Sequence, residues 1–376
     1  MTGINLTAVY IADLLGAVLA ANLLISNRWR IRDRMAENHY LMSLAVLVFV
    51  SCIADSVSFA LDGKAGQLNR IMICVSNGWL YMMNVLCGLI WLRFFVLHMG
   101  LRIPKGYVLF LIAAGMIFLI ILAINPFTGL AFRVNDRNVY ERGPMFAVYL
   151  GLDLFFILNC LVVYIIARRK SGRMNFFPVW LFILPVAAGL AVQSAIYGIS
   201  AIWPCMSISV TGVFLGVQNE LIFRDKLTGL FNRYYLDYLR NSKIKRTDHT
   251  MITALMLDLN HFKEINDRWG HSVGDKALIA TGDILKNIVN DSGTVLRYAG
   301  DEFVILLNTQ DKQKVSNVVD EIHSRLSEYS SETDIDFELS VSVGQCEINL
   351  ALSGIEELMK EADRRMYEEK RRTGDE

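Results

Sequence analysis

Seven apolar runs, each about as long as a bilayer is thick, fill the first 217 residues, and a bundle of membrane helices is what such a sequence can build. They lie near residues 5–26, 40–61, 71–92, 106–124, 144–167, 176–196 and 198–217. No basic residue precedes the first run and "NRWRIRDR" follows it as a stop-transfer flank, so it is expected to stay in the mature chain rather than be cleaved. With the amino terminus outside, the loops facing the cytoplasm hold Arg28, Arg30, Arg32, Arg34, Arg93, Arg102, Lys105, Arg168, Arg169, Lys170 and Arg173. The outer loops hold only Lys64, Arg70, Arg133, Arg137 and Arg142. That asymmetry follows the positive-inside rule. Seven crossings would leave the carboxyl half in the cytoplasm, giving a multi-pass protein of the cytoplasmic (inner) membrane with the lipid bilayer as a partner.

Charge divides the chain at the same place. The first 217 residues carry 16 Lys and Arg against 8 Asp and Glu, and the remainder 21 against 29, so a formal charge of zero hides halves of +8 and −8. At 53% hydrophobic the chain exceeds the roughly 45–50% of ordinary soluble domains. No nucleic-acid partner is expected. Asp13, Asp55 and Asp153 fall inside the apolar runs, where acids are costly and therefore candidates for ligand or ion binding. Asn22, Asn84, Asn159 and Gln193 fall there too and fit roles bridging helices. Cys52, Cys74, Cys87, Cys160, Cys205 and Cys346 have no metal-ligand spacing and read as packing residues. The longest outer loop, "NPFTGLAFRVNDRNVYERGPMF", is either a solvated connector or a sensing surface. The layout resembles the seven-helix sensor modules that precede some bacterial signalling kinases and cyclases.

Residues 218–224 contain neither Pro nor Gly, so the seventh run is expected to continue as a helical linker into a soluble domain at 225–376. That domain alternates: "MITALML", "TVLRYA", "EFVILLN" and "FELSVSVGQC" read as strands, and helical periodicity fills 271–289, 312–329 and 353–372. The strands flanking Gly300-Asp301 are close enough only for a hairpin. An α/β domain with a largely antiparallel sheet is expected. Asp301 then sits at a hairpin tip, Glu302 opens the outgoing strand, and Asp258 ends another strand that could lie beside it. Such acids are either a wet turn or two hard oxygen ligands for Mg²⁺, which keeps waters and takes further ligands from phosphate.

Five ordered motifs bear on that choice: "DKLTGLFNR" (Asp225 to Arg233), "LDLNHFKEINDRWGHSVGDKAL" (Leu257 to Leu278), "RYAGDEF" (Arg297 to Phe303), "SVSVG" (Ser340 to Gly344) and "ADRRMYEEK" (Ala362 to Lys370). Together they resemble the GGDEF family of diguanylate cyclases. The resemblance implies a palm-like fold that condenses two GTP into cyclic di-GMP with release of two pyrophosphates. It implies Mg²⁺, which Mn²⁺ can replace, and a homodimer, because each domain holds one GTP. It assigns Asp258, Asp301 and the Leu259 carbonyl to metal, Asp301 and Glu302 to catalysis, Asn266 and Asp275 to guanine, and Lys263 and Lys370 to phosphate. Three departures stand out: Ala299 replaces the first glycine of the signature, Asn260 stands where an Asp is common, and Gly374 stands where the family has an Arg. "NDSG" at 290–293 lacks the Arg-x-x-Asp of the family's product-inhibition site, so feedback through it is not expected. Alternative readings are a degenerate GTP- or cyclic di-GMP-binding receptor, and a membrane sensor whose soluble domain serves for dimerisation.

Overall fold

The apolar half folds as α1 (Leu6–Ser26), α2 (Ala36–Leu61), α3 (Gln67–His98), α4 (Lys105–Ala123), a single turn α5 (Asn125–Thr128), a hairpin of β1 (Phe132–Val134) and β2 (Tyr140–Arg142), then α6 (Phe146–Ser171), α7 (Trp180–Ala195) and α8 (Ile202–Ile222). The computed structural model describes residues 5–27, 36–101, 103–171, 178–196, 198–241, 251–332, 337–349 and 355–373. Arg28, Arg30, Arg32, Arg34, Arg102, Arg173 and Gly374 lie outside them. Two units result, Met1–Val217 and Gln218–Glu376.

Six of these helices, α1, α2, α3, α4, α6 and α8, are long and apolar enough to cross a membrane. The remaining apolar run, at 176–196, holds the shorter α7, whose 16 residues rise about 24 Å against a hydrocarbon core of about 30 Å. Apolarity runs through 176–196, but it does not set helix length. Pro185 removes a backbone donor inside α7, and Ile196 is already extended (φ −119°, ψ 112°). Close approach holds the unit together: a Cβ on Gly16 would lie 3.0 Å from the Pro204 backbone, and Ser207 Oγ donates to the Gly16 carbonyl at 2.7 Å. The long loop is an ordered hairpin. Asn138 (φ +57°) donates to the carbonyls of Lys64 and Gly66, and Asp62 Oδ1 accepts from the Tyr140 N–H, which lashes the hairpin to the α2–α3 connection.

The linker helix ends earlier than expected. α8 runs unbroken across Val217–Gln218 but stops at Ile222, where the N–H groups of Phe223 and Arg224 reach back three residues to Glu220 and Leu221 in a tightened last turn. Then follow β3 (Phe231–Asn232), α9 (Arg233–Asn241), β4 (Met251–Leu259), α10 (Phe262–Trp269), α11 (His271–Val289), β5 (Gly293–Ala299), β6 (Glu302–Leu307), α12 (Lys312–Glu332), β7 (Val341–Asn349) and α13 (Ile355–Thr373). The five strands form one sheet in the order β3-β5-β6-β4-β7. It is mixed, which corrects the expected largely antiparallel sheet: β3 runs parallel to β5, whereas β5–β6, β6–β4 and β4–β7 are antiparallel. β3 is two residues long, too short to leave an alternating pattern in the sequence.

Period-two alternation positions the core. Leu255, Leu257 and Leu259 of β4 and Phe303, Ile305 and Leu307 of β6 are buried on one face with Leu285 of α11 and Ile322 of α12. α13 covers the other face at β7. A Cβ on Gly344 would stand 2.1 Å from the Ala362 carbonyl oxygen and 2.3 Å from the Met366 nitrogen, so glycine is required for that backbone-to-helix contact.

Candidate active site

Register brings the acids together. Asp258, 8% exposed near the end of the interior strand β4, lies directly opposite Glu302 on β6 and Ser342 on β7. Asp301 occupies the β5–β6 tip beside Gly300, whose φ of +41° suits glycine, and the Asp301 carbonyl accepts from the N–H of buried Leu259 at 3.3 Å. Burial raises the Asp301 carboxyl above its ordinary range and Asp258 adds to this, while its own backbone N–H, Lys370 and Arg297 pull the other way. Glu302 is raised by burial first, then by Asp258, Asp363 and Asp301, against Lys370. These acids gain by a cation between them. Lys370, carried by α13, supplies one: its Nζ is 2.6 Å from Asp258 Oδ1.

Among the described residues no group of three or more His, Cys, Asp or Glu side chains forms a ready cage for a metal. Two carboxylates and a carbonyl nonetheless suit Mg²⁺, which leaves most of its shell to water and phosphate. The like-charge crowding at Asp301 and Glu302 is the observation that favours a divalent cation here.

Asn266 and Asp275 lie on the neighbouring helices α10 and α11, joined through Gly270 (φ +85°). Asn266 is half-buried and makes no side-chain hydrogen bond among the described residues. Its amide packs onto Gly274, where an added Cβ would come within 2.1 Å of Oδ1. Asp275 is exposed next to that glycine, and Lys263 is exposed one turn ahead of Asn266 on α10.

Residues 222–376 match the family model described as diguanylate cyclase, GGDEF domain. These residues are a GGDEF domain. Over 150 residues the chain is 30% identical to the probable diguanylate cyclase DgcC of Escherichia coli K12, covering 39% of this chain and 40% of that one. Over 164 residues it is 32% identical to the diguanylate cyclase DosC of the same strain, covering 43% and 35%. Its match to probable diguanylate cyclase DgcT of that strain extends over 236 residues at 25% identity, 62% of this chain and 50% of that protein. The chain thus spans half or less of these curated relatives. A solved structure of the coiled coil and GGDEF domain of DgcB from Caulobacter crescentus in complex with c-di-GMP matches at 25% identity and TM-score 0.38, covering 42% of this chain and 85% of that one.

Within the GGDEF domain, two of the departures from the family pattern, Ala299 and Asn260, have local explanations. Ala299 is exposed, so its methyl meets no packed neighbour. Asn260 is buried and structural: its Nδ2 donates to Ser340 Oγ at 3.2 Å while its Oδ1 accepts from Ser342 Oγ at 2.8 Å, tying the end of β4 to β7. Asp225 and Arg297 fall within the motifs, but nothing in the sequence alone gives them a role. Asp225 Oδ1 accepts from the Thr228 N–H (2.9 Å) and hydroxyl (2.8 Å) and from Arg297 Nη1 (3.0 Å), and Arg297 Nε donates to the Gly300 carbonyl (2.9 Å). The pair braces the β5–β6 tip, and no spacing rule signals it, because 72 residues separate the partners. Asp363, which helps raise Glu302, was likewise invisible until α13 docked on the sheet.

Proposed function

We propose that the chain is a membrane-bound diguanylate cyclase that condenses two GTP into cyclic di-GMP, with the apolar unit as its regulator. The observation that carries this reading is the facing pair Asp258–Glu302 with Asp301 at the adjoining tip, a carboxylate cluster whose electrostatics call for a cation. Asp258, Asp301 and the Leu259 carbonyl would hold Mg²⁺, or Mn²⁺, which when bound supplies positive charge to the triphosphate and its leaving pyrophosphate. Asn266 and Asp275 orient the guanine, whose edge offers an acceptor and donors to match an amide and a carboxylate. Lys263 and Lys370 hold phosphate oxygens as point charges.

Each 3′-hydroxyl attacks the other nucleotide's α-phosphorus; a P–O ester bond forms, the bond to pyrophosphate breaks, and the hydroxyl proton leaves to a base. Two such events close the ring, so two domains must face each other in a homodimer. An odd number of crossings with the amino terminus outside, or an even number with it inside, puts the domain beside cytoplasmic GTP, and we take the first. α7 then crosses as well, the sixth of seven in chain order, its shortness met by local thinning of the bilayer. The eleven-to-five distribution of basic residues supports this orientation.

The test is full-length protein in nanodiscs with GTP and Mg²⁺, read by mass spectrometry for cyclic di-GMP. Product is expected from the wild type, and Asp301→Ala is expected to abolish it while thermal unfolding stays cooperative. Absence of product from wild type under every divalent ion tried, or product from Asp301→Ala within a few-fold of wild type, overturns the reading.

A further inference from the structure

The helices of the first unit enclose two contiguous cavities, of about 110 and 30 Å³, that share Asn84, Asp153, Leu190 and Ile202 in their walls. At roughly 10–15 Å³ per water-sized group, the larger holds a small organic molecule, not a lipid chain. Its charged and amide side chains are nearly all occupied. Asp55 is held by Ser200 Oγ at 2.6 Å, Asn77 donates to Ser58 Oγ at 2.7 Å, and Gln193 accepts from the N–H groups of Ala201 and Ile202. Arg142, the only basic residue of the lining, donates to the carbonyls of Gln193 and Ser194 at 2.8 and 2.9 Å with its guanidinium over the Phe146 ring.

Two polar groups are exceptions. Asn84 on α3 and Asp153 on α6 line both cavities, and neither side chain has a hydrogen bond or ion pair among the described residues. A carboxylate within an apolar helix is costly without a partner, so the arrangement asks for one from outside. The surroundings say which sign it carries. Asp55, Asp62 and Asp153 outnumber the occupied Arg142, and Tyr81, Tyr149 and Trp203 make the rest of the wall rich in aromatic rings, which suit an organic cation. On the far side of Asp153 the smaller cavity is apolar, walled by Trp91, Phe156, Phe182 and Met206.

We infer that this is a binding site for a small organic ammonium ion, its charged head on Asp153 and Asn84 and its apolar body among the aromatic side chains. An anion would face the carboxyl groups of Asp62 and Asp153. Asp62 of the α2–α3 connection and Tyr140 and Arg142 of the β1–β2 hairpin also line the larger cavity; that this end faces outward rests on the orientation proposed above, but ligand binding does not depend on that orientation or on cyclase activity.

The experiment uses full-length protein in detergent micelles, with thermal unfolding followed against phenethylamine, against its uncharged counterpart 2-phenylethanol, and against potassium chloride. The amine is expected to raise the melting temperature with a Kd at least tenfold below that of the alcohol, and potassium chloride to leave it unmoved. Asp153→Asn, nearly isosteric and breaking no internal bond, is expected to bring amine and alcohol to equal affinity, and Asn84→Leu to weaken the amine alone. Equal affinities in wild type, no shift with the amine, the same shift with potassium chloride, or an amine preference surviving in Asp153→Asn would each overturn the assignment.

Discussion

Replacing Gly274 by alanine should separate stability from substrate recognition. The new Cβ falls 2.1 Å from Asn266 Oδ1 and 3.0 Å from its Cγ, but meets no backbone atom among its nearest neighbours. The tip of a flexible side chain gives way more easily than a helix, so Asn266 should swing off its position while α10 and α11 stay packed. Alanine also fixes the α11 backbone better than glycine, a gain of about 0.5–1 kcal/mol in a helix interior and less in the first turn. Losing one neutral hydrogen bond to guanine costs about 0.5–1.5 kcal/mol, or roughly a two- to twelvefold fall in kcat/KM for GTP. Gly274→Ala should therefore melt at or above the wild-type temperature and turn over GTP less efficiently. Steady-state kinetics and thermal unfolding on the same preparation decide the matter. A lower melting temperature would mean that the helices moved instead, and an unchanged kcat/KM would remove Asn266 from the guanine contact.

Other expectations follow from the same geometry. Because the Glu302 carboxyl is raised in the fold, its contribution to stability is present at acid pH and is lost as pH rises from the ordinary carboxylate value to the raised one. In EDTA, the melting temperature of wild type minus that of Glu302→Gln should fall across that window, and a rise would refute the sign. Burial opposes the Asp225 carboxylate, but Thr228 and Arg297 outweigh it and hold its pKa below the usual range. Arg297→Ala should cost about 1.5–3 kcal/mol in denaturant unfolding near neutral pH, shrinking as pH falls through the Asp225 folded value, because both partners are largely shielded. α8 crosses the boundary between the units without a break, so inserting one or two alanines after Glu220 should change the cyclase rate in membranes and inserting four should largely restore it, at about 100° per residue. Equal rates for all insertions would exclude a helix-phase dependence.

The sequence was most legible where a repeat distance carried the information. Strands β4, β5 and β6 were readable as short apolar runs bounded by turn chemistry, β7 from alternation, and α11 from its helical period, because burial in the core sets the residue types of each element. β3 was not readable: two residues cannot show a period, and with it went the parallel edge that makes the sheet mixed. The length of α7 was not readable, because an apolar run reports solvent preference while the helix ends where the backbone turns extended at Ile196. At the site, Asp258, Asp301 and Glu302 could be brought together on paper because strand ends and a hairpin tip are local facts. The Arg297–Asp225 brace and the nearness of Asp363 to Glu302 depend on tertiary docking, for which one sequence holds no local signal.

The two sides of the Lys370–Asp258 contact stand on parts of the domain with unequal resistance to opening. From Thr253 to Asp258, β4 is paired on both edges, so its amides can exchange with solvent deuterium only when the whole domain opens. Lys370 comes from α13, the last helix, which is seated against the outermost strand β7 and can lift without breaking the β4 ladder. In a hydrogen-exchange experiment the amides of α13 should therefore lose protection well before those of β4. Every such excursion removes the lysine from a carboxylate that stays in place. The domain would then pass through a transient form with its sheet intact and its carboxylate cluster uncovered, at a frequency set by the docking of one helix.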